Sequence, residues 1–354
     1  MMEEIKEAII GKPGLYCNGI RQFTGYVSDM GVLPSLFDRE GNKIEFIDEN
    51  GNNIIDDNTL NDILQGKLIV QPKGLWTRDI DGDNLPEWQY YDNAKIWAGW
   101  RGPYIDPPPD GILKDAWGNP FVFIIGELVT HNGKTYRCVK SHDAGLGRDI
   151  DPNAVAEPHE PGTADGDQYW KELPVAINVP HTWVRPGKDV PDTYGYPHDL
   201  PYVTEPHYAD ALTVISYGKD GKPGGEGLNK DLVLTIYKQE WTGEVAGHVG
   251  YRGHPYVDVV TLHYPKEGKI ESASIEIVDN DHGYGINFRF GTACESDDPN
   301  CKIDCDYSEP DYICNYTNFK KVAIPIGIRS ITTDTGKTYI FPVEATGNWI
   351  GTLK

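Results

Sequence analysis

The stretch that decides the fold runs Ser216-Tyr217-Gly218-Lys219-Asp220-Gly221-Lys222-Pro223-Gly224-Gly225-Glu226-Gly227-Leu228-Asn229-Lys230-Asp231. Apolar runs flank it at Leu212–Ser216 and Val233–Ile236, so the pattern predicts two short strands joined by a glycine-rich loop. The glycines lack the spacing of a phosphate loop or a dinucleotide fingerprint. Asp220 and Asp231 bracket many backbone carbonyls, and this combination can wrap a hard cation such as calcium. A plain glycine turn is the alternative interpretation.

Two aromatic motifs lie upstream of this loop. The first runs Gly99-Trp100-Arg101-Gly102-Pro103-Tyr104, and the second runs Asp115-Ala116-Trp117-Gly118-Asn119-Pro120-Phe121. The Gly118-Asn119-Pro120 turn predicts a strand over Phe121–Ile125. A ligand groove would explain the tryptophans, but core packing is favoured because tryptophan usually serves burial first.

In this order, the two aromatic motifs and the glycine loop resemble the major pseudopilin of type II secretion systems, a type IV pilin-like protein. The resemblance covers roughly residues 1–126 and 209–236, which is less than half the chain. It implies a long N-terminal helix on a small antiparallel sheet, a loop ordered by calcium, and export to the periplasm or cell surface. It also implies that Asp220 and Asp231 are carboxylate ligands of calcium and that Tyr217 is a ligand through its backbone carbonyl.

The chain departs from this family in two respects. The family's hydrophobic N-terminal segment, which is processed, held in the membrane and polymerised, is missing; Met1–Ile10 is typical of the last turns of a helix stopped by Gly11 and Pro13. We therefore expect membrane anchoring and assembly to depend on a helix that this chain lacks. The head is also larger than that of an ordinary pseudopilin.

An insertion and a C-terminal region account for the extra length. Residues 127–174 predict a strand pair joined by an Asn-Gly turn, then a polar loop. This insertion resembles, more weakly, the small chitin-binding modules of secreted polysaccharide hydrolases. Tyr136, Tyr169 and Trp170 are its sugar-stacking candidates, or alternatively its core.

The predicted fold class is α+β. We expect a pseudopilin-like head at residues 1–126 and 209–240, the small β module at 127–174, and an irregular connection at 175–208. The repeated short strands of residues 241–354 predict a C-terminal β-sandwich.

Two further clusters of metal-binding or redox-active side chains occur. Asp79, Asp81 and Asp83 place carboxylates at alternate positions, which indicates either a second calcium loop or a solvated acidic turn. Four cysteines crowd into one Asp-rich and Tyr-rich stretch and are disulfide candidates, with zinc ligation as the alternative: Cys294, Cys301, Cys305 and Cys314.

The charge and the motifs limit the function. A formal net charge of -22 repels phosphate backbones and excludes nucleic acid as a natural partner. The chain has no Gly-x-Ser-x-Gly elbow and no His-Glu-x-x-His motif. We therefore expect a non-catalytic subunit whose partners are other pseudopilin or pilin subunits and a polysaccharide or secreted cargo. The alternatives are a secreted polysaccharide-active enzyme with a carboxylate pair and a cell-surface adhesin.

Overall fold

The chain divides into two compact units. The computed structural model describes residues 1–12, 16–17, 20–21, 23–48, 52–79, 85–143, 159–164, 166–183, 206–249, 257–277, 286–291, 322–345 and 347–353. The first unit comprises Met1–Met2, Ser35–Lys73 and Pro108–Lys238. The second unit comprises Glu3–Pro34, Gly74–Pro107 and Gln239–Lys354. The glycine loop and the Asp115–Phe121 motif belong to the first unit, and the Gly99–Tyr104 motif belongs to the second.

The helices in the described residues are short. They are α1 (Met2–Ile10), α2 (Tyr26–Met30), α3 (Asp57–Leu64) and α4 (Lys238–Trp241). The N-terminal helix α1 has only nine residues, and it ends as predicted, because Gly11 adopts a left-handed φ of 84°. None of the helices that the structure describes is long and apolar enough to cross a membrane.

Strands form most of the regular structure. Those before the glycine loop are β1 (Tyr16–Cys17), β2 (Ile20–Arg21), β3 (Leu36–Phe37), β4 (Lys43–Ile44), β5 (Gln89–Tyr91), β6 (Ile96–Ala98), β7 (Val122–Ile125), β8 (Leu128–His131), β9 (Lys134–Cys138), β10 (His142–Asp143), β11 (Trp170–Glu172), β12 (Pro206–His207) and β13 (Leu212–Ser216). Those after it are β14 (Leu232–Ile236), β15 (Thr242–Gly243), β16 (Val245–Val249), β17 (Val259–Lys266), β18 (Lys269–Glu276), β19 (Ile286–Phe290), β20 (Ile324–Pro325), β21 (Gly327–Thr333), β22 (Thr338–Val343) and β23 (Asn348–Leu353).

The first unit contains two three-stranded antiparallel sheets. One has the order β14-β13-β7, and the other has the order β11-β9-β8. The central strand β13 is buried along its whole length, which explains its continuous apolar sequence. The predicted hairpin of the insertion is confirmed: β8 and β9 pair across Asn132 and Gly133, whose φ angles of 48° and 74° suit a tight two-residue turn.

The second unit contains a four-stranded antiparallel sheet, β18-β17-β21-β22, and a three-stranded mixed sheet, β19-β16-β23. Alternate residues of β17 point inward, and one cluster of buried residues takes side chains from both sheets. It includes Val245, Val249, Val260, Leu262, Tyr264, Ala273, Ile275, Phe288, Phe290, Ile331, Val343 and Leu353. The chain is thus α+β and made mostly of small antiparallel sheets, whereas the finer expectation of a β-sandwich stays a prediction.

The Gly99–Tyr104 motif of the second unit surrounds a buried aspartate on α2. The hydroxyl of Tyr104 donates a hydrogen bond of 3.0 Å to Oδ2 of Asp29, and Nε of Arg101 lies 3.1 Å from the same oxygen. The hydroxyl of Ser28 donates to Oδ1 at 3.2 Å. Burial raises the pKa of Asp29 to about 6, although Arg101 and these hydrogen bonds favour the charged form.

The stability of the second unit should therefore depend on the protonation of Asp29. The folded carboxyl, with a pKa of about 6, binds a proton more readily than the unfolded one. Its contribution to stability is thus fully present below about pH 4 and is lost as the pH rises through the folded pKa. Denaturant unfolding should show that the parent loses stability relative to Asp29→Asn as the pH rises over this range.

A second variant checks the same assignment. Tyr104→Phe removes a hydrogen bond to the Asp29 carboxylate, so it should move the pH-dependent change to higher pH. Parallel pH profiles for the parent and Asp29→Asn would show that Asp29 does not cause the dependence.

Candidate functional site

The glycine loop, residues 217–231, joins β13 to β14 in the first unit. The two strands pair from Leu212 with Ile236 to Ser216 with Leu232, so both ends of the loop are fixed by the sheet. Gly218 and Gly225 have left-handed φ angles of 68° and 87°. A Cβ atom on either glycine would lie 2.7 Å from a backbone oxygen of the same loop, so the tight path requires glycine at both positions.

The Asp115–Phe121 motif holds the first turn of the loop. Oδ1 of Asp115 accepts hydrogen bonds from the backbone nitrogens of Trp117 and Asn119 at 3.0 and 2.9 Å, which closes the turn. Oδ2 accepts a bond of 2.7 Å from the hydroxyl of Ser216, and the side-chain amide of Asn119 donates to the Gly218 carbonyl at 2.7 Å. The structure thus joins two of the three motifs that carry the family resemblance.

Asp231 lies at the other end of the loop and is almost fully buried, with 2% exposure. Its Oδ2 accepts hydrogen bonds from the backbone nitrogens of Gly224 and Asn178 at 2.8 and 2.9 Å. Its Oδ1 is buried and has no hydrogen-bond partner within the described part of the chain. Burial raises the pKa of Asp231, and the negative charge of Asp220 raises it further. The loop therefore holds a buried, electrostatically unfavourable carboxylate.

Asp220 and Tyr217 take different positions. The Asp220 side chain is exposed, and its Oδ1 accepts a bond of 3.3 Å from the backbone nitrogen of Lys222. The ring of Tyr217 is buried, and its hydroxyl donates to the Leu64 carbonyl at 2.7 Å. Burial raises the pKa of this hydroxyl, so the tyrosine remains neutral and only its backbone carbonyl is suited to bind a cation.

The arrangement suits a hard cation bound by oxygen. Calcium takes six to eight oxygen ligands and combines carboxylates with backbone carbonyls. Asp231 and Asp220 supply two carboxylates near enough to repel each other, and a loop of backbone carbonyls lies between them. Within the described ranges, no group of three or more His, Cys, Asp or Glu side chains is arranged to hold a metal ion, so carbonyl oxygens would have to complete the coordination.

Two of the three predicted sugar-stacking residues, Tyr136 and Trp170, lie in a buried apolar cluster. Tyr136 and Trp170 are buried, at 4% and 2% exposure, and belong to one apolar cluster with Cys138. Tyr169 is half-buried, and its ring stacks on His159 with centres 3.9 Å apart. Burial explains Tyr136 and Trp170 without a ligand, while sugar stacking by Tyr169 stays a prediction.

The remaining predicted sites lie largely outside the described residues. Asp81 and Asp83 fall there, as do the disulfide candidates Cys294, Cys301, Cys305 and Cys314. Asp79 is described and exposed, and its backbone carbonyl accepts a hydrogen bond of 3.1 Å from the Thr77 hydroxyl. The second calcium loop and the disulfides therefore stay predictions.

The sequence did not predict that Asn178 contacts the glycine loop. Its backbone nitrogen binds Asp231, and its side-chain amide donates to the Gly225 carbonyl at 3.0 Å. It is 53 positions from Asp231 in a segment that predicted only an irregular connection, so no local pattern could reveal the contact. The turn formed by Asp115, by contrast, is visible in sequence, because aspartate often accepts bonds from backbone nitrogens just ahead of it.

Comparisons with models of protein families, with curated proteins and with solved structures gave no match. The likeness to pseudopilins therefore depends on the motifs alone.

The burial of Trp170 leads to a test that separates core from ligand. Trp170→Ala should lower the free energy of unfolding of the first unit by about 3 to 5 kcal/mol, because a fully buried aromatic ring leaves a cavity. Tyr169→Ala should cost less, because its ring is only half-buried. Denaturant unfolding measures both. A Trp170→Ala protein of unchanged stability that fails to bind chitin oligosaccharides would show that Trp170 is a ligand residue.

Proposed function

We propose that this chain is a non-catalytic structural subunit of a secretion or pilus fibre, with a pseudopilin-like head that binds calcium in the glycine loop. The motifs that carry the resemblance support this proposal in their order and in their contacts. Asp115 and Asn119 of one motif hold Ser216 and Gly218 of the next. The function is binding and assembly without turnover.

The observation that carries the calcium proposal is the buried Oδ1 of Asp231, for which the described residues provide no hydrogen-bond partner. Its other oxygen is bound by two backbone nitrogens, which bring no positive charge. A buried charge without a counter-charge is costly, and a bound divalent cation would remove that cost. Asp220 and the Tyr217 carbonyl are the further ligands that we assign, and calcium supplies the positive charge when bound.

The additional segments fit a subunit that presents binding surfaces. Residues 127–174 and 241–354 extend the chain beyond a pseudopilin head, and we assign them to contacts with a surface, a polysaccharide or a secreted cargo. In this proposal the protein is exported and assembles with other pseudopilin or pilin subunits through an N-terminal apolar helix.

Calcium should raise the melting temperature of the metal-free protein. A ligand at 100 times its dissociation constant stabilises the folded state by about 2.7 kcal/mol, which corresponds to roughly 5 to 10 °C for a domain of this size. Asp231→Asn should abolish most of this increase, and Asp220→Asn should weaken it. Magnesium should act less well because it demands stricter octahedral geometry.

The behaviour without calcium gives a second check. Asparagine can still accept the bonds from Gly224 and Asn178 but carries no charge, so metal-free Asp231→Asn should melt no lower than the parent. Asp62→Asn is the control, because it removes a half-exposed acidic group of the same unit outside the loop. A parent whose melting ignores calcium after verified removal of metal would contradict the site.

The assembly role has an independent test. Genes for a secretion system or pilus beside the coding sequence, and an upstream in-frame prepilin leader, would support a fibre subunit. A measured hydrolase activity on polysaccharides, lost on substitution of a carboxylate pair, would instead favour the enzyme alternative.

A further inference from the structure

Two buried histidines face each other in the first unit, away from the glycine loop. His142 of β10 pairs directly with His207 of β12, and the two residues are 8% and 1% exposed. Their ring centres are 5.3 Å apart, and the ring planes are inclined by 39°. We call these two residues the histidine pair.

The hydrogen bonds of the histidine pair define which nitrogen carries the proton. Nδ1 of His142 lies 2.9 Å from the Lys140 carbonyl, and Nδ1 of His207 lies 3.2 Å from Oε2 of Glu127. Carbonyl and carboxylate oxygens only accept, so each Nδ1 must donate. In the neutral rings, each Nε2 is therefore unprotonated and presents a lone pair.

Both Nε2 atoms are buried and have no hydrogen-bond partner among the residues that the structure describes. A buried acceptor without a partner loses its interaction with water and gains nothing in return, and such atoms are rare in folded proteins. The cross-strand pairing of His142 with His207 places the two rings side by side, so two buried lone pairs are available to a ligand with a positive charge.

The surroundings resemble those of metal-binding histidines. Such histidines usually donate their second ring nitrogen to a carboxylate or a backbone carbonyl, as His207 and His142 do here. Glu127 is itself fixed, because its oxygens contact Nδ1 of His181 at 3.1 Å and the backbone nitrogen of Tyr208 at 3.1 Å. The orientation of the His207 ring is thus held by a second layer of contacts.

The spacing of the rings also fits. Two imidazoles that bind one tetrahedral zinc ion through Nε2 at about 2.0 to 2.1 Å place their ring centres roughly 5 Å apart. The histidine pair has a spacing of 5.3 Å.

We infer that the histidine pair binds one divalent transition-metal ion of the zinc class through both Nε2 atoms. In the part of the chain that the structure describes, no third His, Cys, Asp or Glu joins them in a metal-binding group. The Cys138 thiol lies 4.0 Å from Nδ1 of His142, at the protonated nitrogen, and is not a ligand in this arrangement. Imidazole suits zinc, nickel, cobalt and copper, whereas calcium prefers oxygen.

Trp170 provides a spectroscopic reporter of this site. Its ring centre lies 5.2 Å from that of His142 and 4.7 Å from that of His207. Copper(II) or nickel(II) bound to the histidine pair should therefore quench the Trp170 fluorescence saturably. Zinc should reverse the quenching by competition, and calcium should not.

The experiment uses the full chain saturated with calcium, so that the glycine loop cannot contribute. Isothermal titration of the parent with zinc should show a bound ion whose affinity falls at least about tenfold in both His142→Gln and His207→Gln. His131→Gln is the matched control, because it removes a histidine of the same unit whose Nε2 already contacts Glu160 at 3.0 Å. Its affinity should equal that of the parent.

The titration has outcomes that support the inference and outcomes that overturn it. No zinc binding by the parent, or binding that persists unchanged in both histidine variants, would overturn the inference. Circular dichroism and the thermal unfolding of each variant show whether it is folded. Because zinc binding and the calcium response are measured separately, either site can fail without the other.

Discussion

The hydrogen bonds of Asp115 are the constraint on which the glycine loop depends. One carboxylate oxygen closes the turn before β7, and the other holds Ser216 at the end of β13. The same turn positions Asn119 so that its side-chain amide donates a hydrogen bond to the Gly218 carbonyl. Loops rich in glycine lose much entropy when they are ordered, so a fixed anchor at the start of the loop reduces the number of conformations that a cation would have to organise.

The two candidate sites each contain a buried acceptor atom without a hydrogen-bond partner in the described residues, whereas several other unpartnered buried atoms are donors. The indole nitrogens of Trp183 and Trp241 are also buried without a partner in the described ranges, but they are donors and cannot bind a cation. Oδ1 of Asp210 is another such acceptor, yet its carboxylate is neutralised by Lys238 at 2.8 Å. Asp231 and the histidine pair differ from these groups. Each side chain is buried and has an acceptor atom with a free lone pair, and hydrogen bonds to its other polar atom fix its orientation.

Local patterns predicted local structure well. The Asn132-Gly133 turn defined the hairpin of the insertion, and the strand predicted over Phe121–Ile125 is found at Val122–Ile125. In the candidate site, the sequence was enough to single out Asp231 as a candidate ligand, because this residue ends a loop that is unusually rich in glycine. The histidine pair was not visible, because His142 and His207 are far apart in sequence and a histidine carries no mark of which nitrogen will be left without a partner. Tryptophan has a similar ambiguity: a small module uses the same residue for its core and for a sugar platform, and only burial separates the two for Trp170.

The short pairing of β10 with β12 has a consequence for the unfolded chain. It joins two points about 65 positions apart, so forming it closes a long loop of backbone, whose entropic cost grows only slowly with length. A crosslink at this point, whether covalent or through a shared metal ion, would exclude most extended conformations of the denatured ensemble. A metal ion shared by His142 and His207 would then restrict the unfolded chain in the way that a disulfide bridge does in a small secreted domain.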